Sequence, residues 1–343
     1  MAVSTNVGGT WQTMSALYVN ISGTWQACSG VWVNVSGTWQ RVYTAPRGMY
    51  KRSMEGNSST TNIDYIAMTS AGNTSYFGQL SFFNYGYSGL SSSTRAVFSG
   101  GRWYDSSMQS QGSILIQYMT IATTGNASYF GSLSNALVST AGLANATRGV
   151  IIGGQEFDWY YYNLMNINYM KYITIASTGN SNYYGSLTTA QQVMLACASP
   201  TRGLDVGGYY QVTDMRYTTI ASGGDAGSFG TLYRGRHGAG AMASSTRAVF
   251  AGGVYRNTSI EYVTIATLGN GASFGSLTVD RGDVAASSSS IKGLLYGGRA
   301  YSTGNQWYSE YITIATTGNG AIWGVLIEAG ASEAGVSNAH GGL

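Results

Sequence analysis

The sequence predicts an all-β chain: a six-bladed, kelch-like β-propeller over residues 44–343, preceded by a small β-repeat (meander) segment over residues 1–43. Three observations carry this. A phrase of the form "YITIATTGN" begins at Tyr65, Tyr118, Tyr172, Tyr217, Tyr262 and Tyr311, at spacings of 53, 54, 45, 45 and 49 residues. Each copy continues into an aromatic, a glycine and a leucine, as in "YFGSL", and five second strands end in Gly-Gly at 100–101, 153–154, 207–208, 252–253 and 297–298. The composition agrees: 49 Gly, 27 Tyr and only 2 Pro, with 9% charged residues where about 25% is usual. Abundant aromatic and β-branched residues suit strands, and glycine-rich punctuation suits tight turns.

Residues 1–43 come first. "GTWQ" recurs at 9–12, 23–26 and 37–40, a period of 14. Inside it Trp11, Tyr18, Trp25, Trp32 and Trp39 fall every seven residues. Strands of about five residues joined by two-residue, Gly-containing turns fit that spacing. Leu17, Val19 and Ile21 share one face, as do Val31, Val33 and Val35. Such thin sheets bury little by themselves, and their edges lack charged gatekeepers. The five aromatics are therefore the expected anchoring and oligomerisation residues.

From residue 44 each unit reads as four strands: a small-residue strand for a crowded centre, a hydrophobic strand running into Gly-Gly, the alternating "YVTIAT" strand, and the short "SFGSL" strand. About 45–54 residues and four strands per unit is the pattern of a propeller blade. "APRGMYKRSMEG" at 45–56 reads as a second strand with no first strand before it, and the tail from Glu333 to Leu343 supplies the missing one. Ring closure by that tail, beside Gly48–Ser53, is the expectation.

The order of Gly-Gly, variable loop, "xxYxTxATGNxxFGxL", small strand and hydrophobic strand resembles the kelch motif. Phe77, Phe130, Tyr184, Phe229, Phe274 and Trp323 stand where kelch units carry Trp, and only the last keeps it. The wording "YITIATTGN…FG.L…SSTRGVFAGG", with the N-terminal "GTW" repeats, is also similar to proteins of tailed bacteriophages, notably those of cyanobacteria. That resemblance implies a virion-surface or tail-fibre protein made in a bacterial host cytoplasm. It also implies homo-oligomerisation, a trimer by analogy, and attachment to other virion proteins (tail, baseplate or capsid) through residues 1–43.

Chemistry is sparse. His237, in "YRGRHGAG", is expected to be a surface-loop histidine, and His340 to lie in the closing strand. Two histidines are too few for most metal centres or triads. Cys28 and Cys197 match no metal spacing and are read as small buried or half-buried side chains. No catalytic residue, metal or cofactor is expected. The +3 charge is scattered, so no nucleic-acid partner is expected. No apolar run reaches the roughly 18 residues of a membrane helix, and no signal peptide is read at the start. "RGD" at 281–283 and the many Asn-x-Ser/Thr sequons follow from composition.

The loops after Gly-Gly are richer. Trp103, Tyr104, Trp159, Tyr160, Tyr161, Tyr162, Tyr209, Tyr210, Tyr255, Tyr301 and Trp307 lie there. The resemblance to kelch propellers implies that these loops open on the same face as those after the outer strand, here "SFFNYGYS" and "LYRGRHG". Nine of these, Trp103, Tyr104, Trp159, Tyr160, Tyr161, Tyr209, Tyr210, Tyr255 and Trp307, are the candidate ligand-binding residues. Flat rings with polar tips suit sugar rings and protein hot spots, and neutral amides bind sugar hydroxyls without desolvating a charge. The expected function is receptor binding on a neutral surface glycan or a protein receptor of a host cell. The competing readings are a capsid decoration or baseplate scaffold protein and a glycan-degrading enzyme.

Overall fold

The computed structural model describes residues 4–7, 10–13, 18–21, 24–27, 30–35 and 38–343, except 53–59, 83–84, 105–109, 159–162, 193, 255–256 and 301–302. Before residue 45, and at 85, 104, 110, 158 and 332–333, only the backbone is described. The five N-terminal aromatics are thus placed by backbone alone. They sit on three two-stranded hairpins, Ser4–Val7 with Thr10–Thr13, Tyr18–Ile21 with Thr24–Ala27, and Gly30–Val35 with Thr38–Thr44. The register repeats: Asn6, Asn20 and Asn34 face Trp11, Trp25 and Trp39. The 14-residue period is therefore one pair of antiparallel strands, and its seven-residue half carries one strand.

The rest forms six antiparallel blade sheets, each running from an inner to an outer strand, and a separate two-stranded ribbon, Arg299–Ala300 with Gly304–Asn305. The inner strands are Tyr85–Ser91, Ala141–Ala144, Leu195–Ala198, Gly240–Ala243, Ala285–Ser288 and Ser332–Ser337. Each touches the next, and the last touches the first, so they close a ring around a narrow axial channel. Small residues make that crowding possible. A Cβ on Gly142 would lie 2.5 Å from the Gly89 carbonyl oxygen, and one on Gly335 only 2.2 Å from that of Ala286.

Blade one is assembled from both ends of the sequence. Ser332–Ser337 pairs with Arg47–Arg52, which continues to Asn62–Ala67 and Ser75–Gln79. The expected closure holds, with one correction: His340 lies beyond the closing strand, not in it. Residues 338–343 instead cap the channel. The His340 ring meets the Ser91 carbonyl at 2.7 Å, and the Gly342 N–H donates to its Nδ1 at 3.1 Å.

The repeated phrases encode the joints between blades. Each "TGN" loop docks on the outer strand of the preceding blade. The Gly179 N–H donates to the Phe130 carbonyl at 2.8 Å, and the Ser132 N–H to Asn180 Oδ1 at 2.9 Å. The same joint recurs at all six interfaces, including the seam, where Gly72 and Asn73 meet Trp323 and Val325. The glycine of each aromatic–glycine pair leaves room for this: on Gly131 a Cβ would sit 2.0 Å from the Gly179 oxygen.

Arginine makes a second joint. Arg47, Arg95, Arg148, Arg202 and Arg247 each lie over the tyrosine of their own blade and donate to two successive carbonyls of the next. In the sixth blade Lys292 takes this place, 4.1 Å from the Trp323 ring. The kelch-position rings Phe77, Phe130, Tyr184, Phe229, Phe274 and Trp323 are all buried, edge-on to those tyrosines. Cys197 is buried as expected, and desolvation pushes its thiol up to about 12; Cys28 lies outside the described residues.

Candidate functional site

Antiparallel strands alternate in direction, so the loops between second and third strands share one face with the blade-to-blade crossovers. The two remaining turns of each blade occupy the opposite face, where the chain joins the propeller at Arg47 and where residues 338–343 cap the channel. The candidate site is on the first, crossover face.

Two devices shape it. Gly-Gly doublets end the second strands with both glycines at positive φ, for example 72° and 114° at Gly252 and Gly253, a region open to glycine at little cost. A buried polar residue just before each repeat tyrosine then holds a crossover or its own sheet. Gln117 accepts from the Ser81 N–H, Lys171 donates to Ser134, and Asp205 pairs with Arg216 at 2.6 Å. Glu261 pairs with Arg236 at 2.7 Å, and Glu310 with Arg281 at 3.0 Å. In these three ion pairs the buried charges are matched one to one, as burial requires.

On this scaffold the candidate residues divide. Tyr209 and Tyr210 are 42% and 84% exposed, with ring centroids 4.8 Å apart and planes 72° apart. Trp307 is 59% exposed. Trp103 is half-buried and packs edge-on against Phe82 at 5.6 Å. Trp103 and Tyr104 also lie on a strand, not in a loop, because Arg95–Tyr104 continues past Gly-Gly and pairs with Gln111 and Ser110. Trp159, Tyr160, Tyr161 and Tyr255, together with Tyr162 and Tyr301, lie outside the described residues. The hairpin around the first three, Gln155–Asp158 with Asn163–Asn166, leans on the neighbouring blade by pairing with Leu137 and Val138.

Backbone strain gathers on the same face. Among the described residues, non-glycine positive φ occurs at Ser139, Tyr210, Gln211 and Asp283, at 53°, 69°, 58° and 53°. All four belong to crossovers or second-to-third-strand loops. Such conformations cost about 1–3 kcal/mol each and persist where surrounding structure imposes them.

His237 is buried, contrary to the surface-loop expectation, because its crossover folds inward beneath Tyr209, whose ring centroid is 5.2 Å away. Burial holds its imidazole below the ordinary range, opposed by the nearby Asp283 carboxylate. The Asp283 carboxyl, although the residue reaches the surface, is raised by desolvation from its packed side and lowered by His237. Both immediately precede strands lining the channel mouth, where Tyr87, Thr140, Met194, Ala239 and Val284 gather. Tyr233, 87% exposed, and Arg234 do not stand out in the sequence as individual sites. Their only signal there is the unusual crossover "LYRGRHG".

Among the described residues no three His, Cys, Asp or Glu side chains come together as a metal site, and no helix is long and apolar enough to cross a membrane. No protein-family model matches the chain, and no curated protein does. Solved structures do. One, titled "Structure of YjhT", superposes with a TM-score of 0.64 at 10% identity, covering 86% of this chain and 96% of that one. The fold is a six-bladed, kelch-like β-propeller. At that identity the likeness concerns fold alone.

Proposed function

We propose that this chain is a receptor-binding component of a tailed-phage virion, a tail-fibre-type protein that attaches to a host surface glycan or protein. The propeller's crossover face makes the contact. Residues 1–43 join it to other virion proteins and to further copies of itself, as a trimer. The observation that carries this reading is the Tyr209–Tyr210 pair: two exposed rings, one on left-handed backbone, on the face opposite the point where residues 1–43 join the propeller. Exposed tyrosines on rigid backbone give contact area at small entropic cost. The sequence similarity to phage fibre proteins supplies the setting.

The test is adsorption of labelled protein to a panel of cyanobacterial cells, read by flow cytometry. Saturable adsorption is expected, and Tyr209→Ala with Tyr210→Ala should weaken it about tenfold or more, as for an aromatic hot spot. Unchanged adsorption by the double variant removes this face from the reading. Deleting residues 1–43 should abolish oligomerisation and incorporation into particles while sparing adsorption of the isolated propeller. A truncated chain that keeps both properties overturns the anchoring role.

A further inference from the structure

We infer that the crossover between blades four and five forms a binding site for an acidic sugar unit, a hexose ring bearing a carboxylate or sulfate. This rests on the recognition reading above and gives it a ligand class. A cleft of about 510 Å3 opens there, lined by Tyr233, Arg234, Asn257, Ser259, Glu261 and Ser273, among others.

Its geometry is fixed from below. Glu261 is buried and accepts the backbone N–H of Tyr233 at 2.7 Å and of Arg234 at 3.3 Å, while Arg236 Nη2 donates to it at 2.7 Å. Arg236 is itself fully buried and also donates to Ser259 Oγ at 2.8 Å. The crossover is thereby pinned at its base. Its two tip side chains take no part in that pinning.

What the tip presents is chemically specific. The Tyr233 ring is almost wholly exposed. Arg234 is exposed and, among the described residues, its guanidinium has no carboxylate partner. Asn257 Oδ1 accepts from the Ser259 N–H and hydroxyl, at 3.0 and 2.7 Å, and its Nδ2 is left without a partner among the described residues. A planar guanidinium fits a carboxylate or sulfate, an aromatic face stacks on a sugar ring, and amide and hydroxyl groups bind its hydroxyls.

The next crossover supplies an internal control. There Glu310 accepts the Thr278 N–H at 2.8 Å and pairs with Arg281 at 3.0 Å, the same backbone pinning, and it also accepts the Thr278 hydroxyl at 3.0 Å. The tip residues, however, are Thr278 and Val279. The scaffold thus accepts Val where Arg234 stands, and where the Thr278 side chain reinforces the pinning, Tyr233 leaves its ring outside it.

The experiment measures binding of the full chain to immobilised polygalacturonate, dextran sulfate and neutral dextran by biolayer interferometry. Binding to one of the two anionic polymers and none to neutral dextran is expected; which polymer binds identifies the anionic group. Tyr233→Thr with Arg234→Val, the pair of residues found at the neighbouring crossover, should fold normally and lose about tenfold or more in affinity, the scale of one charge-assisted contact. Tyr233→Phe should retain binding. No binding to either anionic polymer, or equal binding by the Thr–Val variant, overturns the inference. Cell adsorption that depends on Tyr209 and Tyr210 without polymer binding leaves the recognition reading standing and this site refuted. Polymer binding through Tyr233 and Arg234 without adsorption to any cell does the reverse.

Discussion

Gly275 and Gly318 face each other across one inter-blade joint and should respond oppositely to the same substitution. A Cβ on Gly275 would lie 2.1 Å from the Gly318 carbonyl oxygen, whereas one on Gly318 meets nothing within 4 Å. In Gly275→Ala the loop must retreat by roughly 1 Å or more to reach van der Waals distance. That retreat strains three hydrogen bonds: Gly318 N–H to the Phe274 oxygen at 2.9 Å, Gly320 N–H to the Ser276 oxygen at 2.9 Å, and Ser276 N–H to Asn319 Oδ1 at 3.0 Å. At about 0.5–1.5 kcal/mol each, the loss of all three costs about 1.5–4.5 kcal/mol. Gly318 is not at positive φ, so Gly318→Ala should be neutral or stabilise by about 0.4–1 kcal/mol through the unfolded chain. Urea unfolding followed by tryptophan fluorescence measures both. Equal stability of the two variants would refute the account of the joint.

Other consequences follow from the same contacts. Arg202→Ala removes donors to the Ile265 and Ala266 carbonyls and a cation over Tyr217; a loss of about 2 kcal/mol is expected in urea unfolding, with Arg202→Lys in between. Removing residues 332–343 strips blade one of its inner strand, exposing Met49 and Tyr50, and should leave aggregated or expanded protein in size-exclusion chromatography. His340 gives a pH dependence with a definite sign. Desolvation, the main cause, holds its folded value below the ordinary one of about 6.5, against the Ser91 hydrogen bond. Below that pH the unfolded chain binds a proton the folded chain refuses, so stability falls as pH drops from about 7 to 5. His340→Gln should lose less stability over that range than the wild type; equal losses in thermal unfolding would contradict the role of the cap.

The repeat phrases make the blades legible because each copy must satisfy the same neighbour. Tyr172 must lie under Arg148, Gly131 must admit the Gly179 carbonyl, and Asn180 must receive the Ser132 N–H. The glycine demand recurs at all six joints, and the arginine and asparagine demands at five each, with Lys292 and Asp225 as the exceptions, so they print a period, and the period implies the ring. The lone second strand at 45–56 and the surplus strand at the end likewise reveal the seam, since an unpaired strand edge must be covered. Tyr209, Tyr210 and Trp307 can be found because loop aromatics stand out in sequence. Trp103 is not separable from them: only packing decides that its ring lies on Phe82 instead of facing outward.

The sequence by itself determined the class of strand, the number of blades and the place of closure, since all depend on local patterns repeated along the chain. Tertiary structure alone decided the burial of His237 beneath Tyr209, the capping of the channel by His340, and the placing of the Arg234 cation beside Tyr233 over one cleft. Each depends on contacts that occur only once and that the folded ring alone brings about. A single contact leaves no period, and only the closed ring brings its partners together.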